Sequence, residues 1–361
     1  MQSDMALLSG GAVRGEPTRF FASAWEVFDR ADGLVWEESI SICEKKVRFQ
    51  GKGSAMRTAL MSAVTHLRMD LAGEADLLVR AWDAADGRAA LPPLPTAEGD
   101  ELTHDRVMRL SDDNHVVVWE RHFDAVTLLD RAKGRAIYFT HNAAALPYYE
   151  TAAPLRALWH AWFSRFGALP LHGACVGREG DALLLTAPGG NGKSTTALLG
   201  LQAGMDYLAD DWCLVDPGQR KIHSLFGTAK LRPDNLHRFP QLADRIHNFD
   251  KLDEEKATFF LHRYFPNQLR SSARLRAIVI PRVSGTPDCT FTRTNAAQAW
   301  HALIGVTLRG IAGSGRELFN LLGEVARCVP VYSLSLGSDL PQVPHALHAI
   351  LDEITDHERQ S

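Results

Sequence analysis

The chain of 361 residues is 45% hydrophobic and 23% charged, with a formal net charge of −4. Those values suit a folded globular protein with room for two domains or one large one. A weakly acidic balance excludes electrostatic nucleic-acid binding by the chain as a whole and leaves only a local basic patch open. Five cysteines (Cys43, Cys175, Cys213, Cys289 and Cys328) stand at long, irregular spacings without a CxxC pair. They predict reduced thiols in a cytoplasmic protein and no structural zinc. The start, "MQSDMALLSGGAVRGEP", has no basic stretch followed by an apolar run, so no signal peptide is expected. No window approaches the roughly 18 apolar residues of a membrane span, so no membrane partner is expected.

In chain order, residues 1–18 read as a frayed leader. "RTALMSAVTHLRMDL", Arg57 to Leu71, has helical apolar spacing and predicts one amphipathic helix. "ADLLVRAWDA", "NHVVVWERH" and "AVTLLDRAKGRAIYFTH" predict strands, the last a hairpin turning at Ala132-Lys133-Gly134. "GRAALPPLPTAEGDE", Gly87 to Glu101, predicts a loop. Trp25, Trp36, Trp82 and Trp119 read as core, with a peptide-binding groove as the sharper alternative. "PLRALWHAWFSRFGALP", Pro154 to Pro170, predicts a helix closed by Gly167. A domain boundary is placed near residue 150, giving an α+β domain over 1–150 and a second domain over 151–361. Beyond it, "GACVGR", "DALLLTA", a helix from Lys193, "YLADDWCLVD" and "LRAIVIPRV" alternate as an α/β fold does.

The segment "APGGNGKST" matches the phosphate-loop pattern except for Ala187 in place of the first glycine. Gly189, Gly190 and Gly192 allow a tight turn whose amides, with that of Asn191, point inward. The helix start adds the positive end of its dipole. Lys193 then reaches the β- and γ-phosphates of ATP, Ser194 offers a hydroxyl to Mg²⁺, and Thr195 completes the motif. The bland alternative is a glycine-rich βα turn with a chance Lys-Ser. Asp210 and Asp211 end an apolar strand one helix later, where a metal-associated acid is expected. As adjacent strand residues they are expected to face opposite ways. A solvated turn is the alternative. His172, before an apolar strand, reads on spacing alone as structural.

Together "LHGACV", "APGGNGKST" and "YLADD" resemble the HPr kinase/phosphorylase family. That family consists of P-loop kinases that phosphorylate a serine of a sugar-transport phosphocarrier protein and whose core is related to phosphoenolpyruvate carboxykinase. The resemblance covers about residues 168–216 strongly, the rest of the C-terminal half loosely, and residues 1–150 barely. It implies a P-loop kinase domain preceded by a smaller α+β domain, with ATP and Mg²⁺ as cofactors. By position it implies that Lys193 and the loop amides hold ATP and that Ser194 and Asp211 hold Mg²⁺. Asp210 would accept the acceptor's proton, with His172 beside it. Two departures stand out. Thr195 takes the place of an acidic residue after Lys-Ser, and "TLRGIAGSG", Thr307 to Gly315, only faintly echoes the family's phosphorolysis signature. The chain looks like a stand-alone relative, some of which modify ribosomal peptides at a serine.

Other cations are weaker signals. In "GTAKLRPDNL", Lys230 and Arg232 would share a strand face and contact the γ-phosphate or acceptor, or else form a solvated strand end. "HRYFPNQLRSSARLR", His262 to Arg276, reads as an exposed charged helix and loop or as a lid. Arg309 and Arg316 sit in a glycine-bearing loop. The leading expectation is a kinase acting on a serine of a protein or peptide. A small-molecule hydroxyl kinase and a nucleotide-binding regulatory module are the alternatives, and a homo-oligomer is left open.

Overall fold

The computed structural model describes residues 16–94, 102–103, 106–107, 110–307 and 316–360. All of the faint "TLRGIAGSG" echo after Thr307, Arg309 included, and the side chain of Arg316 therefore lie outside the described residues. So do the first fifteen residues of the expected leader and residues 95–101 of the Pro-rich loop.

The protein has a mixed α/β fold built on two large sheets and one small one. In chain order the first half holds α1 (Glu16–Arg30), β1 (Val35–Ile42), β2 (Lys45–Lys52), α2 (Ser54–Met61), β3 (Leu77–Asp83), α3 (Ala84–Gly87), β4 (Leu102–Thr103), β5 (Arg106–Val107), β6 (His115–Glu120), β7 (Ala125–Asp130) and β8 (Arg135–Thr140). Their sheet runs β1-β2-β3-β8-β7-β6-β5-β4. Residues 16–18, read from sequence as leader, open α1 instead. This helix buries Phe21, Ala24, Val27 and Phe28, spaced three and four apart, against Trp82, Leu128 and Phe139 of the sheet.

The helix expected over 57–71 begins earlier and stops at Met61. Ser62 Oγ donates to the Thr58 carbonyl and Thr65 Oγ1 to that of Met61, and the chain leaves through one 3₁₀ turn, Thr65–Leu67. Hydroxyl side chains that bond back to the backbone compete with helix continuation.

The second half holds α4 (Tyr148–Thr151), α5 (Arg156–Phe163), β9 (Leu169–His172), β10 (Ala174–Arg178), β11 (Asp181–Leu185), α6 (Lys193–Gln202), β12 (Asp206–Ala209), β13 (Trp212–Asp216), β14 (Lys221–Ser224), β15 (Thr228–Leu231), β16 (Ala257–Phe260), β17 (Ser272–Val283), β18 (Thr290–Thr294), α7 (Ala296–Thr307), α8 (Arg316–Cys328), β19 (Val331–Leu336) and α9 (Gln342–Gln360). Nine of these strands form one sheet, ordered β12-β10-β11-β17-β14-β13-β9, with β19 beside β17 and β18 beyond it. β15 and β16 make the separate two-stranded sheet.

Strand β11 shows why its sequence is apolar from Ala182 to Leu185. Leu183 and Leu185 pack on the side of α6 and α9, whereas Ala182 and Leu184 pack with α5, α7 and α8. A strand covered on both faces needs apolar residues at every position. The core beneath α5 continues into the first half, joining Leu184 and Ile278 to Phe49, Val79 and Trp159.

The stretch expected as a charged helix after His262 is one 3₁₀ turn, Leu261–Arg263, and β17 takes over at Ser272. Arg274 and Arg276 lie on that strand and both pair with Asp181. All five cysteines are free thiols. Among the described residues no helix is long and apolar enough to cross a membrane.

Candidate active site at the glycine loop

The apolar strand β11 ends at Leu185, and the amide of Thr186 donates to the Val279 carbonyl of β17, which anchors the base of the loop. Residues 187–192 then turn back on themselves. Gly190 and Gly192 adopt φ of 85° and 89°, in the left-handed region that favours glycine. Gly192 is the residue before α6 and accepts the Thr196 amide at 2.8 Å. A Cβ at Gly192 would lie 2.5 Å from Leu336 Cδ1, so close packing as well as backbone conformation requires glycine there. Asn191 Nδ2 donates to the Pro188 carbonyl, and Gly189 stands open to solvent.

Lys193 opens α6 yet is only 7% exposed, and its Nζ donates to the Ala187 carbonyl at 2.7 Å across the loop. Burial pushes its pKa down, Asp210 and Asp211 push it back up, and Lys256 adds to the fall, which remains the net direction. Ser194, the next residue, turns the other way: its Oγ donates to Asp210 Oδ1 at 2.8 Å. Thr195 is half-buried in the same helical turn.

The strand expected over 207–216 is two strands, broken at the aspartates. Asp211 has φ of 71°, a left-handed conformation that aspartate tolerates better than most residues. Asp210 is 2% exposed and accepts from Ser194 Oγ, from its neighbour's amide at 3.0 Å and from the Lys230 amide at 3.0 Å. Burial, reinforced by the charge of Asp211, raises its pKa despite those three donors. Asp211 reaches Lys230 Nζ at 2.8 Å and His172 Nε2 at 3.5 Å. Burial alone would raise its pKa, but Lys230 and His172 outweigh it and hold the carboxyl well below the usual range.

His172 ends β9 beside Trp212, its register partner, with ring centroids 5.4 Å apart. Its Nδ1 is buried without a partner. The following glycine is sterically required, because a Cβ at Gly173 would lie 2.9 Å from the Leu185 carbonyl at the base of the loop. The amide of Gly173 also donates to the Asp211 carbonyl at 2.9 Å. His-Gly, the glycine loop and Asp-Asp thus meet at one end of one sheet.

Three sequence expectations change. Ser194 and Asp211 are expected to share the metal, whereas the hydrogen bond of Ser194 goes to Asp210. His172 was placed beside Asp210, but it faces Asp211. Lys230 and Arg232 were given a shared face; β15 ends at Leu231, so Lys230 is buried against Asp211 while Arg232 turns outward to Asp234 at 2.8 Å. Lys256 was missed altogether. It lies in an irregular stretch, and its charge is felt at Lys193 because β16 pairs with β15. Tyr148, at the start of α4, has its ring centroid 5.8 Å from Lys230 Nζ, a contact made across a long sequence separation that no local pattern announces.

The site therefore offers a cation and loop amides at a helix start, a buried hydroxyl–carboxylate pair, and a second, more open carboxylate held by a cation and an imidazole. Among the described residues no cluster of three or more His, Cys, Asp or Glu could hold a metal by itself. Ser194 and Asp210 are instead a pair of hard oxygen donors, which fits a Mg²⁺ ion that keeps water and phosphate oxygens as its other ligands.

No family model matches the sequence, and no curated protein matches it. Among solved structures, the Hpr(Ser) kinase/phosphatase from Coxiella burnetii is similar over 53% of this chain and 95% of its own, at 10% identity and a TM-score of 0.30.

Proposed function

We propose that this protein is a phosphotransferase that moves the γ-phosphate of ATP, with Mg²⁺, to an acceptor hydroxyl, that of a serine in a protein or peptide. The observation that carries this reading is the Ser194–Asp210 hydrogen bond beside Lys193 at the start of α6. A structural βα turn has no need of a buried lysine, a serine tied to a buried carboxylate, and a second carboxylate a residue away.

In this reading the amides of Gly189, Gly190, Asn191 and Gly192 cradle the phosphates, with Thr195 at the same helix start. Lys193 exchanges its Ala187 carbonyl for phosphate oxygens. Ser194 and Asp210 hold the metal, which supplies neutralisation of phosphate charge. The roles of the two aspartates are thereby exchanged relative to those the family resemblance implies. Asp210 is 2% exposed and tied to Ser194, whereas the Asp211 side chain is 16% exposed and is held by Lys230 and His172 instead. Asp211 accepts the hydroxyl proton, since a base is assigned by reach before pKa. A strongly acidic carboxylate suffices when the phosphoryl transition state is loose and the proton leaves late. Lys230 holds Asp211 in place and lends positive charge, and His172 orients it from the other side. Incubation with ATP, Mg²⁺ and serine-containing proteins or peptides, read by mass spectrometry for an added phosphate, tests the reading. A chain that adds no phosphate to any acceptor and, in a calorimetric titration, binds no ATP refutes it.

A further inference from the structure

A cavity of 420 Å³ opens between the two halves of the molecule. One wall is α2 with residues 143–148, and the facing wall is the 247–260 segment. Three relationships tie it to the reactive end of the site. Tyr148 lines the cavity and stands over Lys230. Thr258 lines it too and is the register partner of Lys230. Glu255, also in the wall, precedes Lys256, whose charge reaches Lys193.

The walls limit what fits. The volume lies in the lower part of the ligand-site range of about 300–1,000 Å³. A few residues of extended chain, at about 3.3 Å each, can enter, but the face of a folded domain cannot. Part of the polar lining is engaged within the protein. Ser62 Oγ bonds Thr58, Thr151 Oγ1 bonds Tyr148, and the Asn248 amide bonds Glu255, Lys256 and Thr258. Small polar molecules are oriented by a few converging polar groups, and these side chains are not free to converge. What α2 presents instead is small: Ser54, Ala55, Thr58 and Ala59 allow a backbone to approach closely.

Resting on the phosphotransfer reading above, we infer that this cleft receives the acceptor as an extended peptide segment, which passes Tyr148 to bring its serine or threonine to Asp211. The narrow wall of α2 selects small residues flanking that hydroxyl. The oxygen of the hydroxyl bonds to the γ-phosphorus, the bridging oxygen leaves with ADP, and the proton passes to Asp211.

The test uses a heptapeptide library randomised around a central serine, radiolabelled ATP and Mg²⁺. Wild type is compared with Thr58→Trp and Ala144→Trp, both at exposed positions on the α2 side where a larger side chain does not disturb the core. Peptide labelling falls at least roughly tenfold in each variant while ATP affinity, read by calorimetry, holds. Among the peptides that wild type labels, Gly, Ala and Ser are enriched beside the central serine. Wild-type labelling by both variants overturns the cleft assignment. Wild type that binds and hydrolyses ATP yet labels no peptide overturns the acceptor class. Failure of wild type to bind ATP and Mg²⁺ refutes the phosphotransfer reading itself, so the two are told apart.

Discussion

Ser194 Oγ lies 2.8 Å from Asp210 Oδ1, a bond that joins the first turn of α6 to the residue just past β12. It sorts two adjacent and chemically identical carboxylates into different settings, one closed around a hydroxyl and one open toward a lysine and a histidine. The sorting makes the two aspartates separable by experiment. Asp210→Asn weakens the metal site, because a neutral amide is a poorer partner for a hard cation. Its activity recovers as Mg²⁺ is raised. Asp211→Asn cannot take a proton and loses ~10²-fold or more in transfer, with ATP affinity retained and no rescue by Mg²⁺. Paired ATP and Mg²⁺ titrations check this, and the opposite pattern of rescue assigns the base to Asp210.

Lys193→Ala removes a buried cation without opening a large apolar cavity, so the melting temperature changes little. ATP affinity falls about tenfold or more, on the scale of one or two charge-assisted hydrogen bonds. Calorimetric titration alongside a melting curve measures both. Wild-type affinity in this variant removes the loop from the site.

Glycines in the loop separate by geometry. Gly173→Ala forces a Cβ to 2.9 Å from the Leu185 backbone carbonyl, and Gly192→Ala strains a backbone held at φ of 89° and brings a Cβ to 2.5 Å from the Leu336 side chain. Each costs about 1–3 kcal/mol in urea unfolding, the scale of local strain. Gly189→Ala meets nothing within 4 Å and keeps wild-type stability.

Acid loosens the junction between the halves. His66 Nε2 lies 2.7 Å from Ser224 Oγ, joining the 3₁₀ turn after α2 to the end of β14. Burial, with the charge of His262, lowers the His66 pKa from its ordinary 6.5 to about 3. Burial first, with Lys221, lowers that of His223 to about 4. Unfolded chains bind these protons more readily than the folded protein does. The stabilisation is therefore full above pH 6.5 and is lost as pH falls toward 3–4. His66→Gln keeps a hydrogen-bonding group and removes the proton site. Between pH 7 and pH 5 it loses less stability than wild type, by about 1–2 kcal/mol, in urea titrations at both pH values.

Some of this architecture is legible in the sequence because the cause is local. "DALLLTA" carries an unbroken apolar run from Ala182 to Leu185, the glycines follow, and a helical pattern resumes at Lys193, so strand, loop and helix can be placed from adjacent residues. The β7–β8 hairpin is equally plain, with Gly134 between two β-rich runs. What escapes is set at a distance or by one backbone angle. Nothing in "ADD" announces that Asp211 turns left-handed, and that turn decides which carboxylate meets Ser194. Lys256 is recruited only through the β15–β16 pairing, whose partners are separated by a long irregular segment. Helix α2 ends early through hydroxyl contacts that its apolar periodicity does not reveal.

The anchoring of the loop on β17 has a consequence for how the protein is made. β11 leaves the ribosome long before its parallel partner, and the Thr186 amide finds its acceptor only when Val279 has been synthesised. β17 is in turn flanked by β19, which contributes Leu336 against Gly192. A nascent chain that has already exposed Lys193 and Ser194 still lacks the floor and the side wall of their loop. The loop's surroundings are thus completed only when β19 has emerged, and a ribosome stalled between α6 and β19 displays the glycine motif without them.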